Sequence, residues 1–308
     1  MILTSERIAA ATDGFRAVYL KAYEGATPDW LPIAMEVESS SETETYDFLT
    51  GLPGMREMIG EAKLNSLAST GFLLKNKEWE SSVTVKRAYI ERDSLGLIRP
   101  QMAELGTIAR NHPHALVAAL LNAAFTTGLD YTGKAFIAAD KAHNPLDKTK
   151  GAATFSNNAT AALSAASFVT ARTSLRKRTD AKGNNLGLGK KLMLVIPPAL
   201  EETANKLRTA ELLNTGAGVG AETNTLRGTF DVLVINELTS DTAWFLFDVG
   251  REIKPLVVQY EVRPEFIAAD DPKSTHVLLN KEFIYQAYGR WNAGYAMSLL
   301  AYGSTGAG

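Results

Sequence analysis

The spacing of apolar positions predicts an amphipathic helix at the start of the chain. Ile8, Phe15, Val18, Tyr19 and Tyr23 recur at roughly helical intervals, and Thr4 or Ser5 can cap the first turn. The stretch that follows, EGATPDWLPIAMEVESSSETETYD, has no period. Pro28, Pro32 and the Ser/Glu/Thr run from Glu36 to Thr45 give it the character of an extended arm. A helix is expected over Gly54–Ser66, and a hairpin after it, within KNKEWESSVTVKRAYIERD (75–93). Val83, Val85 and Ile90 favour extended chain there, yet charge so dominates the segment that it has almost no apolar face of its own. Because a strand pair needs a packed face or a third strand to persist in water, this hairpin must find its cover elsewhere.

Pro100 can open a helix carrying Met102, Leu105 and Ile108, and Pro113 a second one with Leu116, Val117, Leu120, Leu121, Ala124 and Phe125, stopped at Gly128. A proline ring removes a helical hydrogen bond, so the expectation is a break or kink near Asn111–His112. From Asp130 to Thr160 the chain is rich in Gly, Asn, Lys and Ala and reads as a connection between two units. The second half alternates: a helix near Ala161–Arg178, a buried strand LMLVI (192–196), a helix from Pro198 to about Leu213, and strands near 230–235, 243–248 and 255–262. A sheet flanked by helices fits that order. The Gly-rich run 214–228 is expected to be a loop, a strand is favoured over 276–290, and periodicity leaves 291–302 open.

Composition narrows the function. The length of 308 residues suits two folded units. With no cysteine, thiolate catalysis, disulfides and zinc ribbons are excluded. A formal net charge of −2 argues against a protein whose whole surface grips nucleic acid, but leaves room for a local basic face. No stretch approaches the roughly 18 apolar residues of a membrane span, and the start lacks the basic and apolar regions of a signal peptide, so the chain is expected in the cytosol.

No catalytic constellation is legible, and neither a cofactor nor enzymatic activity is expected. His112 and His114 are two apart and point away from each other on a helix, with no third ligand nearby. LGLGKK (186–191) precedes a strand where a phosphate loop would follow one, and GAGVG (216–220) lacks dinucleotide-binding spacing. Asp270 and Asp271 are adjacent and face opposite ways on extended chain. One basic cluster stands out: Arg172, Arg176, Lys177, Arg178 and Lys182, joined by Lys190 and Lys191. It is either a solvated helix end or a face for DNA or a neighbouring subunit.

Three long strings, NKEWESSVTVKRAYIERDSLGLIRPQMAELG (76–106), REIKPLVVQYEVRPEFIAADD (251–271) and HVLLNKEFIYQAYGRWNAGYAMSLLAYG (276–303), resemble the phage Mu major head subunit family. The resemblance spans nearly the whole chain and is weakest from about 145 to 225. It implies an α+β fold of the HK97 capsid type. Carried onto this chain, that fold divides it into an N-terminal arm (1–50), a helix (51–69) leading to an E-loop hairpin (70–97), a P-domain with a split spine helix (98–154), an A-domain (155–250), and a return with C-terminal P-domain strands (251–308).

The implied function is that of the major capsid protein of a tailed, Mu-like bacteriophage. Such a subunit self-assembles into the hexamers and pentamers of an icosahedral shell that packages double-stranded DNA. The resemblance also places the chain in the virion, assembled in the bacterial host cytoplasm, with a portal and decoration proteins as further partners. Because the chain begins with a helix and no long charged leader, any scaffold is expected to be a separate protein. The hairpin would lie across an adjacent subunit through Lys75, Lys77, Glu78, Glu80, Lys86, Arg87, Glu91 and Arg92, with Trp79 as the buried anchor. Gly216, Gly218 and Gly220 would mark a loop at the capsomer axis. No covalent Lys–Asn cross-link is expected, since no asparagine partner or buried acid is identifiable. An encapsulin-like compartment on the same fold is the alternative, and a nucleotide-using α/β enzyme a distant third.

Overall fold

The computed structural model describes residues 4–49, 69–92, 96–143, 153–180, 183–213 and 222–307. The N-terminal half runs through α1 (Ser5–Gly25), β1 (Ala34–Glu38), β2 (Thr43–Leu49), β3 (Ser69–Lys75), β4 (Lys77–Lys86), α2 (Arg87–Glu91) and α3 (Ile98–Ala123). Short strands β5 (Lys141–Ala142), β6 (Thr154–Phe155) and β7 (Asn158–Ala159) lead to α4 (Ala165–Arg176), β8 (Leu192–Ile196) and α5 (Glu201–Thr209). The chain closes with β9 (Leu212–Leu213), β10 (Glu222–Thr223), β11 (Asp231–Val234), β12 (Trp244–Asp248), β13 (Leu256–Ala269), α6 (Thr275–Asn280), β14 (Glu282–Tyr295) and β15 (Ala301–Ser304).

Two sheets organise these elements. The first has the order β1-β13-β14-β4, with β1 parallel to β13 and the other pairs antiparallel. The second has the order β11-β8-β12-β15-β7. In it β8 and β12, LMLVI and WFLFD, are buried at every position because both faces of this sheet are covered. One face meets α4 and α5 through Phe168, Leu175 and Leu207. The other shares a core with the second half of α3 and the upper part of the first sheet, through Val117, Leu121, Phe245, Phe247, Val258 and Trp291. A separate core joins α1 and the first half of α3 to the lower part of the first sheet, through Phe15, Tyr19, Met102, Leu105, Phe283 and Tyr285.

The expected break in α3 does not occur: one helix of 26 residues runs through Pro113. Its first half buries Met102, Leu105 and Ala109 in one core and its second half Val117, Ala118 and Leu121 in the other. Burying a large apolar side chain contributes about 1.5–3 kcal/mol, so Met102, Leu105, Val117 and Leu121 together outweigh the roughly 3 kcal/mol a helical proline costs. The helix packs so closely on α1 that a Cβ at Gly106 would lie 2.4 Å from the carbonyl oxygen of Tyr19.

The remaining expectations divide. Thr4 caps α1 as read, accepting from the backbone N–H of Arg7. The C-terminal stretch begins as a helical turn, not a strand. Ser274 caps α6, Lys281 ends it in the left-handed conformation at φ 58°, and β14 then runs on through residues 291–295. β15 pairs with β12 and β7 in the second sheet. The helix expected over 54–66 lies outside the described residues.

Candidate assembly surfaces

The hairpin expected at 70–97 is not formed. β3 and β4 are separated by Asn76 alone and turn to different partners: β3 pairs with β2, and β4 pairs with β14 from Lys86↔Glu282 to Lys77↔Trp291. The charges of β4 alternate with an inward row. Val85 is buried, Val83 packs on the α1–α3 core, and Glu78, Glu80 and Lys86 face outward. Trp79, expected as the anchor of a contact with a neighbour, is half-buried within its own subunit. Its indole lies 4.3 Å from the His112 ring and 6.4 Å from that of Trp291, centroid to centroid, and Nε1 donates to the Trp291 carbonyl at 2.9 Å. Among the other residues of the expected contact, Glu80 accepts from Gln286, Arg87 pairs with Glu91 at 2.8 Å, and Lys75 pairs with Glu42 at 2.9 Å. Lys77, Glu78, Lys86 and Arg92 are exposed.

The projecting element lies upstream. β2 and β3 form a two-stranded ribbon in register from Thr43↔Lys75 to Leu49↔Ser69, and among the described residues β2 pairs with nothing else. The root of the ribbon is built with care. Asn76, 5 % exposed, takes a hydrogen bond from Gln259 at 2.8 Å and donates to Ser41 O at 3.0 Å and Ser39 Oγ at 3.3 Å. Its backbone N–H donates to Glu42 O, while Asn292 donates to Lys75 O at 2.7 Å. Glu44 gathers the serine loop by accepting from Ser40 N and Ser39 Oγ, bonds that hold its carboxyl below the usual range. Leu74 plugs a small core with Tyr131, Val257 and Ala296.

The basic cluster does not survive as one surface. Arg178, 5 % exposed, points inward and donates from Nη1 to the carbonyls of Ser298, Leu299 and Ala301 at 3.2, 2.6 and 2.9 Å. Burial lowers its pKa to about 10. A helix-end arginine is accommodated inside because the carbonyls around the turn before β15 accept from it. Arg176, Lys177, Lys190 and Lys191 are exposed and Arg172 is half-buried. Lys182 and Gly216, Gly218 and Gly220 lie outside the described residues; β9 and β10, on either side of those glycines, pair with each other.

One polar pair had no signal in the sequence. Lys141 is fully buried between Phe136 and Phe155 and donates to Asp130 Oδ2 at 2.5 Å, Phe136 O at 2.9 Å and Ala135 O at 3.0 Å. Burial pushes its pKa down although Asp130 opposes the change. All three ammonium protons are used, which makes the pair a staple for the 130–143 connection. The histidines are structural too: His112 is tilted against the Trp79 indole and edge-on to that of Trp291, whose Nε1 donates to it at 3.2 Å, His114 meets Glu237 at 2.9 Å, His143 lies against Phe155, and His276 meets Asn280 at 2.9 Å. Among the described residues no group of three acidic or histidine side chains could hold a metal.

A long helix laid along a four-stranded sheet, a projecting ribbon and a second mixed sheet capped by helices define a capsid subunit of the HK97 type. The same architecture forms the procapsid of bacteriophage JBD30, which is 27 % identical with a TM-score of 0.63, the match covering 98 % of this chain and 76 % of that one. The profile described as Mu-like prophage major head subunit gpT matches residues 8–170, 158–238 and 235–307, and the chain belongs to that family. It is 23 % identical to the major capsid protein of Escherichia phage Mu over 301 residues, 98 % of this chain and 74 % of that protein. It is also 23 % identical to the Mu-like prophage FluMu major head subunit of Haemophilus influenzae over 304 residues, 99 % of this chain and 75 % of that one. These relatives are shell proteins and not enzymes, and a major head subunit works as one of many copies in the capsid of a virion.

Proposed function

We propose that this chain assembles as hexamers and pentamers into an icosahedral head around double-stranded DNA, in the cytoplasm of a bacterial host. A separate scaffold protein, a portal and decoration proteins are its further partners. The observation that carries this reading is the β2–β3 ribbon, rooted at Asn76 and, among the described residues, without a second strand partner on β2. Two strands alone are marginal in water, so the ribbon becomes worth its ordering entropy when a neighbouring copy covers it. Lys75, Lys77, Glu78, Glu80, Lys86 and Arg92, near the ribbon root and along the outer side of β4, are proposed rim contacts of that neighbour. Each contact can be modest, because a subunit held by several neighbours at once gains by multivalency.

Electron microscopy and sedimentation of the purified protein, with and without co-expressed scaffold, should give closed particles. A variant in which residues 44–74 are replaced by a short Gly-Ser turn should keep the far-UV signature of the two sheets and fail to close. Closed particles of normal diameter from the shortened chain would overturn the role of the ribbon.

A further inference from the structure

We propose that cations from three separate segments, gathered at one end of the second sheet, form a binding patch for the phosphate backbone of duplex DNA. This rests on the shell reading above and names the surface by which the shell subunit touches its contents. The patch differs from the basic run in the sequence: Arg178 leaves it for the interior, and Arg251 and Lys254 join it.

The assembly of the patch follows from the sheet register. Leu192 at the start of β8 pairs with Asp248 at the end of β12, so the residues before β8 and after β12 meet at one edge. Val249 N–H donates to Lys191 O at 2.9 Å, and a Cβ at Gly250 would lie 3.3 Å from the Lys191 Cβ. Arg251 reaches back to the Leu186 carbonyl. The C-terminal turn of α4 arrives at the same edge, where a Cβ at Gly189 would lie 2.8 Å from Arg176 Cγ. Gly187 and Gly189 hold left-handed backbone at φ 63° and 81°, so the loop between the cations runs without side chains at these two points.

The charge there is not neutralised. Among the described residues Arg172, Arg176, Lys177, Lys190, Lys191, Arg251 and Lys254 make no ion pair, whereas Arg208 and Arg227 elsewhere in this half pair with Asp231 and Glu211. Asp248, the carboxylate at the end of β12 that acts on Lys254, is 2 % exposed and already accepts from Gly189 N and Gly250 N. Glu252 is the exposed acid of the edge. The cations also repel one another: Arg172 is held below its ordinary pKa by burial and then by Arg176, and Lys254 by burial and then by Lys191. An anion that relieves this repulsion gains affinity from it.

One feature favours phosphate over an acidic protein segment, since arginine forks and lysine point charges suit either anion. No aromatic side chain stands among the seven cations to stack a base or anchor a protein partner. The contact that results is independent of sequence, sensitive to salt and exchangeable, which suits DNA that must slide during packaging.

The test compares the full-length unassembled chain with the variant Arg176→Gln/Lys177→Gln/Lys190→Gln/Lys191→Gln, using fluorescence anisotropy with a random-sequence duplex of about 20 base pairs. Each phosphate contact contributes about 0.9 to the slope of log K against log salt, so the variant should lose on the order of three in slope. A control of equal charge change, Lys21→Gln/Lys206→Gln/Arg208→Gln/Arg227→Gln, should keep the parent slope. An unchanged slope in the first variant, or an equal loss in the control, refutes the patch. Shells that no longer close while the duplex slope stays unchanged would mark the cluster as a contact between copies and also refute it. If the parent chain never forms shells, the shell reading fails, and the duplex slopes still decide the patch.

Discussion

Replacing Trp79 separates two uses of one side chain. In the subunit the indole is wedged between His112 of α3 and Trp291 of β14, with Nε1 donating to the Trp291 carbonyl. Truncating a fully buried tryptophan to alanine costs about 3–5 kcal/mol. Trp79 is half-buried, so about half of that applies, with about 1 kcal/mol added for the lost hydrogen bond. Trp79→Ala should therefore destabilise the isolated subunit by about 2.5–3.5 kcal/mol, and Trp79→Phe, which keeps most of the ring packing, by about 1 kcal/mol. The measurement is urea unfolding of unassembled protein followed by far-UV circular dichroism, with the loss read from the midpoint at constant slope. An unfolding midpoint that does not move in Trp79→Ala, combined with a loss of assembly, would place the energy of the indole at a subunit contact and refute the packing argument.

Two further outcomes follow from buried polar groups. Arg178→Met should cost about 2–3 kcal/mol in the same unfolding assay, with little dependence on salt, because the Leu299 and Ala301 carbonyls lose a donor while the Ser298 carbonyl keeps that of Asn157; a loss under about 0.5 kcal/mol would refute this role. Burial holds the pKa values of His112 and His143 below the ordinary histidine value, so the unfolded chain binds more protons as pH falls below about 6.5. The histidine contribution is thus present above that pH and lost as pH falls through the lower folded values, and a His112→Gln/His143→Gln variant should show a flatter profile between about pH 6.5 and 5.

What could be read from the sequence was what depends on neighbours along the chain. The Thr4 cap, the apolar spacing of α1 and the continuous runs of β8 and β12 all declare themselves within a few residues. The pairing of β4 does not, because its partner β14 lies some two hundred residues away. Its inward row is nonetheless written in the alternation of Trp79, Val83 and Val85, with Glu78, Glu80 and Lys86 lying on the opposite face. Pro113 misled for a related reason: a local cost was visible and the two distant cores that offset it were not. The basic cluster was found as a run, whereas its physical unit is an edge where three segments meet. Lys141 and Asp130 left no trace, since a lysine in a Gly- and Asn-rich stretch reads as solvent-facing.

The same comparison explains why a capsid subunit can carry an unfinished element without unravelling. The ribbon does not hang from a loop. Its root is bonded through Gln259 and Asn292 to β13 and β14, and each of these 14-residue strands passes through both of the cores that α3 joins. A pull on the ribbon by a neighbouring copy is therefore resisted by buried strands. Fraying of the ribbon, in turn, breaks few apolar contacts at its root beyond those of Leu74. The charges on the outer side of β4 fit this division of labour, since an edge strand that displays lysine and glutamate discourages unintended pairing while the ribbon remains available for the intended one.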